Sequence, residues 1–204
     1  MKQKFLNFTT SSIIEKYPNL SSIELEEIRY GLSCFYLSIT KLILIFIFAY
    51  LFGIFKEMIF MLFCFNLIRF SAHGLHASNS WICFTSSATI FLIFPIIAKM
   101  IVIPYFIRII LGIIAITLTY FYSPADTKKK PLIYAKKRKK LKIITLITTS
   151  ILVLIVYLNV LSSTLSNLII FGMYIAIILT LPITYKLFNF ENNNYKKYNY
   201  QFTK

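Results

Sequence analysis

The stretch MIFMLFCFNLIRFSAHGLHASNSWICFTSSATIFLIFPIIA, residues 58–98, places a polar interruption between two apolar runs. The second run, Trp81 to Ala98, approaches the roughly 20 residues that a helix needs to cross a hydrocarbon core of about 30 Å. The first run, Met58 to Ile68, rises only about 16 Å as a helix. It must therefore borrow flanking residues, sit in a thinned bilayer or stop part-way against protein or a water-filled cavity.

The composition argues for a membrane protein. The chain has 204 residues, is 58% hydrophobic and contains seven acidic residues, so a soluble core could not enclose its apolar surface. Further apolar runs that predict spans are Leu37–Phe55, Pro104–Tyr122, Ile143–Val160 and Leu168–Leu187. We therefore expect an all-α integral membrane protein with about six transmembrane helices, located in the cell membrane.

The distribution of positive charge predicts the topology. The net charge of +15 comes from basic residues at the ends of apolar runs, which favours a positive-inside orientation over nucleic-acid binding. With the N-terminus inside, the basic residues between Lys128 and Lys142 also lie inside. Lys56 and Lys99 are then the basic residues left outside, with Arg108 close to that face. Both termini are predicted to be cytoplasmic.

Composition also divides the chain into segments of different character. The predicted segments are an N-terminal cytoplasmic and interfacial segment at 1–36, a polytopic membrane domain at 37–187 and a polar cytoplasmic tail at 188–204. In the first segment, Ser21 or Ser22 stands at capping-box distance from Glu24, which predicts an amphipathic helix at the membrane surface. The tail is rich in Asn, Tyr and Lys and is expected to be mobile or adsorbed to the surface.

The three cysteines, Cys34, Cys64 and Cys83, show no paired spacing and predict no disulfide framework. Cys64 lies between two phenylalanines and is interpreted as a packing residue, as is Cys34. Packing is also the simplest interpretation of Cys83. Its neighbours, however, suggest a working thiol.

Residues 78–80, Ser-Asn-Ser, are good N-cap residues directly before the third span. Cys83 would then lie in or just after the first turn, where the helix dipole and unpaired N–H groups favour a thiolate or an oxyanion. On one continuous helix His76 would lie about 10 Å from Cys83, so a Cys-His pair for acyl transfer requires a break between them. Gly74 is predicted to supply a flexible hinge for that break.

Several alternatives remain open on the residues alone. His73, His76 and Cys83 could hold a metal ion, although their spacing fits no standard zinc pattern. Arg69 either marks the cytoplasmic end of a span or binds a peptide carboxylate. The predicted spans from residue 58 to residue 185 contain no Asp or Glu, which disfavours an ion-coupled transporter. The alternatives to an enzyme are a small peptide transporter subunit and a non-enzymatic membrane protein.

The motif RFSAHGLHASNSWIC, residues 69–83, resembles the signature of the AgrB family, the membrane endopeptidases of peptide quorum sensing. The signature is an Arg, then Gly-x-His-Ala, then a Cys seven residues after the His; the matching positions are Arg69, Gly74, His76, Ala77 and Cys83. SPADTKKKPL, residues 123–132, followed by KKRKK, resembles the Pro-rich stretch and basic loop after the family's fourth span. The resemblance extends from about residue 20 to residue 185.

One position departs from the family pattern, because the family usually has Gly-Gly before x-His and this chain has His73 and Gly74. Spacing and the following Ala77 favour His76 over His73 as the partner of Cys83. His73 is then a neighbour without an assigned chemical role.

The resemblance implies a cysteine endopeptidase without metal or cofactor, in which Cys83 is the nucleophile and His76 the general base. Its substrate would be an AgrD-like propeptide with an acidic C-terminal tail. Cleavage before that tail would leave a thioester on Cys83, which closes to a thiolactone or lactone. Residues expected to support the site or bind substrate are Arg69, His73, Gly74, Lys128, Lys129 and Lys130.

The resemblance further implies a homodimer, whereas the residues themselves place the loop of about 69–83 near the cytoplasmic face of the lipid bilayer. The basic loop at 124–142 lies on that same face and suits an acidic peptide tail. Its alternative role is to set topology and contact anionic lipid, at about 1 kcal/mol for each Lys or Arg near the surface.

Overall fold

The described part of the chain is helical, which confirms the all-α prediction. The computed structural model describes residues 2–17, 20–75, 80–128 and 131–197, without the side chains of residues 22, 23, 27, 34 and 80. It divides into two units, Met1–Leu51 and Phe52–Lys204. The described helices are α1 (Lys2–Lys16), α2 (Ser22–Leu51), α3 (Phe55–Ala72), α4 (Ser80–Met100), α5 (Tyr105–Tyr122), α6 (Ala135–Tyr157), α7 (Ser163–Ile178), α8 (Pro182–Leu187) and a 3-10 helix at Asn194–Lys197.

In the first unit, helix α2 begins with a reciprocal capping box. The backbone N–H and the hydroxyl of Ser21 donate to Glu24 Oε2 at 2.9 and 2.7 Å, and the Glu24 N–H donates to Ser21 Oγ at 3.3 Å. These bonds satisfy N–H groups that have no partner inside the helix. The capping prediction is therefore confirmed, with Ser21 rather than Ser22 as the cap.

Helix α2 then runs for 30 residues without interruption. The sequence predicted a surface helix up to residue 36 and a separate span from Leu37, but the helix continues through this position. Residues 32–51 contain neither glycine nor proline, so the sequence offers nothing to end the helix there. The helix ends at Leu51 rather than Phe55, just before Gly53, whose φ of +66° suits glycine.

Four helices are long and apolar enough to cross a membrane, and they include the segments Glu24–Leu51, Trp81–Met100, Tyr105–Tyr122 and Ala135–Tyr157. Helix α7 is apolar but shorter. The predicted span from Leu168 to Leu187 is not one continuous helix, because α7 ends at Ile178 and α8 starts at Pro182. Proline lacks an N–H and disfavours helical geometry in the residue before it, and Leu181 is accordingly extended. The count of six spans stays a prediction.

The core of the second unit is built around the close approach of α3 and α7. A Cβ on Gly172 would lie 2.8 Å from the Met61 carbonyl oxygen and 3.2 Å from Cys64 Cβ, so the absence of a side chain lets the two backbones meet. Cys64 is 2% exposed in this cluster. Its interpretation as a packing residue is confirmed, whereas the side chain of Cys34 lies outside the described residues.

Buried polar groups also connect these helices. The Thr145 hydroxyl of α6 donates to Ser71 Oγ of α3 at 2.9 Å. Asn167 of α7 donates from Nδ2 to the carbonyls of Ala98 and Ile101, at 3.2 and 2.8 Å. Such bonds satisfy polar groups in an apolar setting and fix the relative positions of the helices.

Arg108 lies near the N-terminus of α5 and is only 5% exposed. Its Nε donates to the Ile103 carbonyl at 2.8 Å, and its Nη2 donates to Ser163 Oγ at 2.9 Å. A longer contact of 3.5 Å joins its Nη1 to Asn159 Oδ1. The side chain predicted to lie near the outer face thus ties the start of α5 to the connection between α6 and α7.

The α3–α7 contact predicts that Gly172→Ala destabilises the protein. The new Cβ would press on backbone atoms of α3 that cannot move independently, at a cost of about 1–3 kcal/mol in the free energy of unfolding. Gly31→Ala is the matched control, because no atom lies within 4 Å of its Cβ position and alanine favours the helix. Thermal unfolding in detergent measures both, and equal effects of the two substitutions would contradict the packing account.

Candidate functional site

The segment that follows α3 leaves the helix abruptly. Helix α3 ends at Ala72, and His73 takes φ of 55° and ψ of −131° while its N–H still donates to the Arg69 carbonyl. Few residues other than glycine adopt this conformation. His73, the position at which the resemblance leads one to expect glycine, therefore has a positive φ.

Backbone hydrogen bonds hold residues 73–75 against two other parts of the chain. The Ala125 N–H donates to the Ala72 carbonyl at 3.0 Å, and the Gly74 N–H donates to the Ala125 carbonyl at 3.1 Å. The Leu75 N–H donates to the Leu179 carbonyl at 2.9 Å. That carbonyl is available because α7 ends at Ile178 and leaves its last carbonyls without helical partners.

The side chain of Arg69 completes this arrangement. Its Nη1 donates to the His73 carbonyl, and its Nη2 donates to the carbonyls of Gly74, at 3.2 Å, and Leu75. A guanidinium presents several N–H groups in a fixed fork and can satisfy successive carbonyls in this way. Arg69 thus organises the loop, a role that neither sequence interpretation included.

Gly74 is a site of close approach and not the flexible hinge that the sequence suggested. Its φ is +100°, and a Cβ there would lie 2.5 Å from the Leu179 carbonyl oxygen and 2.6 Å from Arg69 Nη1. Only glycine leaves room for the two groups that hold the loop. The break between α3 and α4 is confirmed, but it starts with a fixed segment.

Cys83 lies on the other side of this break. Helix α4 is described from Ser80 onward, which leaves the N-cap prediction untested; Cys83 lies three residues further along the helix, and its thiol is exposed. His76 lies outside the described residues, as do Ala77, Ser78 and Asn79. The Cys-His pair and the metal alternative therefore stay predictions.

A cationic surface begins at Lys128, which is exposed; Lys129 and Lys130 lie outside the described residues. It includes the basic residues in the first turns of α6. The first turn of that helix contains no acidic residue. Positive charge at a helix N-terminus is electrostatically unfavourable, so this surface favours anions. The basic residues of α6 are Lys136, Lys137, Arg138, Lys139, Lys140 and Lys142.

The C-terminal tail, expected to be mobile or surface-adsorbed, is bound to the protein as far as residue 195. Asp126 accepts the N–H of Asn194 on Oδ1 at 2.9 Å and the N–H of Tyr195 on Oδ2 at 2.8 Å. The Tyr195 ring lies 4.0 Å from the Arg138 guanidinium carbon, a cation–π contact. The mobility prediction is therefore wrong for these residues, because a buried carboxylate anchors them.

The geometry of residues 73–75 predicts opposite effects of two neighbouring substitutions. His73→Gly relieves a positive φ and stabilises the protein by about 1 kcal/mol. Gly74→Ala introduces a Cβ against the Leu179 carbonyl and destabilises by about 2 kcal/mol or more. Thermal unfolding measures both, and a stabilised Gly74→Ala variant would contradict the close approach.

The sequence is also similar to known proteins. The sequence profile of the accessory gene regulator B (AgrB) family matches residues 8–181. The chain is similar to an AgrB-like protein of Clostridium acetobutylicum, with 32% identity over 91% of this chain and 88% of that protein.

Two staphylococcal proteins, both named accessory gene regulator protein B, are also similar. The Staphylococcus aureus protein is 34% identical over 72% of this chain and 78% of its own length. The Staphylococcus epidermidis protein is 30% identical over 83% of this chain and 86% of its own length. No solved structure matches the chain. The extent of these matches shows that the chain belongs to the AgrB family.

Proposed function

We propose that this protein is a membrane cysteine endopeptidase of an agr quorum-sensing system, with Cys83 as nucleophile and His76 as general base. The observation that carries the proposal is an exposed thiol in the first turn of α4, joined to α3 by a short connection whose first three residues are fixed. His76 is the residue directly after that fixed segment. The substrate is an AgrD-like propeptide with an acidic C-terminal tail.

The first half of the reaction is acyl transfer to the enzyme. His76 takes the proton from Cys83 Sγ, and the thiolate attacks the carbonyl carbon of the peptide bond before the tail. The backbone N–H groups at the start of α4 suit the developing oxyanion. The C–N bond then breaks, the imidazolium protonates the departing amine, and the remaining peptide is held as a thioester.

The second half returns the thiol. A cysteine thiol or serine hydroxyl inside the bound peptide loses its proton to His76 and attacks the thioester carbonyl. The bond to Cys83 Sγ breaks, the sulfur regains a proton, and the peptide leaves as a thiolactone or lactone. Cleavage thus comes first and cyclisation second, with no metal or cofactor.

The cationic surface supplies an attraction for the acidic tail. The pKa of the exposed Glu191 carboxyl is lowered, first by the hydrogen bond and charge of Lys197 and further by the charge of Lys128. Lys128 thus adds to an attraction for the Glu191 carboxylate that comes mainly from Lys197. A substrate tail with several carboxylates would gain more from the adjoining basic turns of α6.

The proposal includes the membrane arrangement. Helices α3 and α7 would cross in addition to the four longer helices, giving six spans with both termini cytoplasmic. Their lengths of 18 and 16 residues rise about 27 and 24 Å, short enough to require a thinned bilayer or flanking residues. The active site would lie near the cytoplasmic face, in a homodimer.

Replacement of the proposed dyad tests the activity. Co-expressed with its propeptide, Cys83→Ala is expected to abolish tail release, because the proposed thioester forms on the Cys83 thiol. His76→Ala should reduce it by at least about a hundredfold, whereas His73→Gly retains it. Cys64→Ala is the matched control, since its thiol is buried in packing, and it should cleave normally.

Full tail release by Cys83→Ala would overturn the mechanism. It would favour the alternative of a non-enzymatic membrane protein or a peptide transporter subunit, with processing carried out by another protein. Loss of cleavage in His73→Gly with retention in His76→Ala would keep the enzyme but reassign the base.

Removal of positive charge tests the attraction. Replacing Lys128, Lys136 and Lys137 with glutamine should raise KM by up to about fivefold for each charge, equivalent to about 1 kcal/mol each, with kcat unchanged. The salt dependence of KM should weaken in parallel. Lys99→Gln is the control, because Lys99 is at the opposite end of α4 from Cys83 and pairs with Glu57 at 3.0 Å. An equal effect of Lys99→Gln would contradict a local attraction.

A further inference from the structure

We propose that Asp126 and the C-terminal residues 188–197 form a clamp that positions the segment leading into His76. Asp126 is then a positioning residue for the reaction, and the tail is part of the enzyme's working structure. The inference rests on the proposed function in one respect, namely that His76 is the base. The clamp itself is defined by contacts within the described residues.

The first contact of the clamp is a buried carboxylate that holds the tail. Asp126 is 3% exposed, and its two oxygens accept the backbone N–H groups of Asn194 and Tyr195 at 2.9 and 2.8 Å. Hydrogen bonds to an ionised acceptor are stronger than those between neutral groups. A carboxylate buried without such partners is costly, so the loop around Asp126 keeps this conformation only while the tail is bound.

The second contact is an apolar cluster that places the tail against the loop. Phe190 packs on a buried cluster of Leu75, Ala125 and Tyr185. The Phe190 N–H donates to the Tyr185 carbonyl at 2.8 Å, and the Tyr185 hydroxyl donates to the Asp126 carbonyl at 2.8 Å. The tail therefore packs on the cluster that contains Leu75, the residue directly before His76.

The third contact joins the loop around Asp126 to the segment before His76. Ala125, adjacent to Asp126, exchanges backbone hydrogen bonds with Ala72 and Gly74 at 3.0 and 3.1 Å. Loosening Asp126 would loosen Ala125, and with it one of the supports of the segment before His76. Arg69 and the Leu179 carbonyl would remain, so we expect displacement of the base rather than loss of the fold.

The test compares Asp126→Ala, deletion of residues 188–204, and the two combined, each in the full membrane-embedded protein with its propeptide. We expect Asp126→Ala and the deletion each to lower kcat about tenfold, with KM changed less than about twofold, because the clamp acts on the base and not on substrate attraction. Asp126→Asn, which keeps one acceptor oxygen, should lie between wild type and Asp126→Ala.

The combined variant distinguishes a clamp from two unrelated defects. Because Asp126 acts through the tail, its substitution should add little once the tail is gone, and the combined loss should stay near tenfold instead of reaching about a hundredfold. Glu191→Gln is the matched control, since it removes an exposed ion pair of 2.6 Å with Lys197 but none of the clamp contacts. It should retain the wild-type kcat.

A second measurement needs no substrate. In amide hydrogen exchange, Asp126→Ala should speed exchange at Asn194 and Tyr195 and also at Gly74, while α7 exchanges as in wild type and so reports an intact fold. Faster exchange both in the tail and at Gly74 supports the clamp, whether or not the wild-type protein cleaves the propeptide. A wild-type protein that cleaves no propeptide would refute the proposed function but not the clamp. Faster exchange confined to the tail, additive losses in the combined variant, or a wild-type kcat for Asp126→Ala would overturn the clamp.

Discussion

The organisation of the site depends on one interaction, the donation of the Arg69 guanidinium to the carbonyls of residues 73–75. A chain that leaves a membrane helix must satisfy backbone groups that the helix no longer pairs. Here the left-handed turn at His73 points successive carbonyls at one side chain, and the absence of a side chain on Gly74 makes room for it. The described part of the connection between α3 and α4, residues 73–75, is therefore fixed, and the proposed base is the next residue in the sequence.

Distant parts of the chain converge on this same segment. The end of α7 supplies the Leu179 carbonyl, and the loop after α5 supplies Ala125. The tight α3–α7 contact through Gly172 brings the first of these to the end of α3. The segment is thus held by α3, by the end of α7 and by the loop after α5, three parts of the second unit, and the proposed nucleophile lies on α4.

Local signals in the sequence predicted local structure well. The Ser21–Glu24 capping box and the break after α3 each follow from residues close by in the sequence. The prediction followed hydropathy, and hydropathy changes near Leu37 although the helix continues through it, so the full length of α2 was missed. Hydropathy is also insensitive to a single proline, so the interruption before Pro182 was missed. Asp126 and the role of Arg69 were also missed, since one depends on partners 68 and 69 residues away and the other on an unusual turn at His73.

The central claim is that Cys83 carries the peptide as a thioester, and the most direct measurement is the mass of Cys83 after mixing with propeptide. A propeptide whose internal cysteine or serine is replaced by alanine cannot close its ring, so the intermediate should accumulate. The account predicts an adduct on Cys83 equal to the propeptide without its tail, removable by hydroxylamine. Release of the tail with Cys83 unmodified at every time point would contradict it.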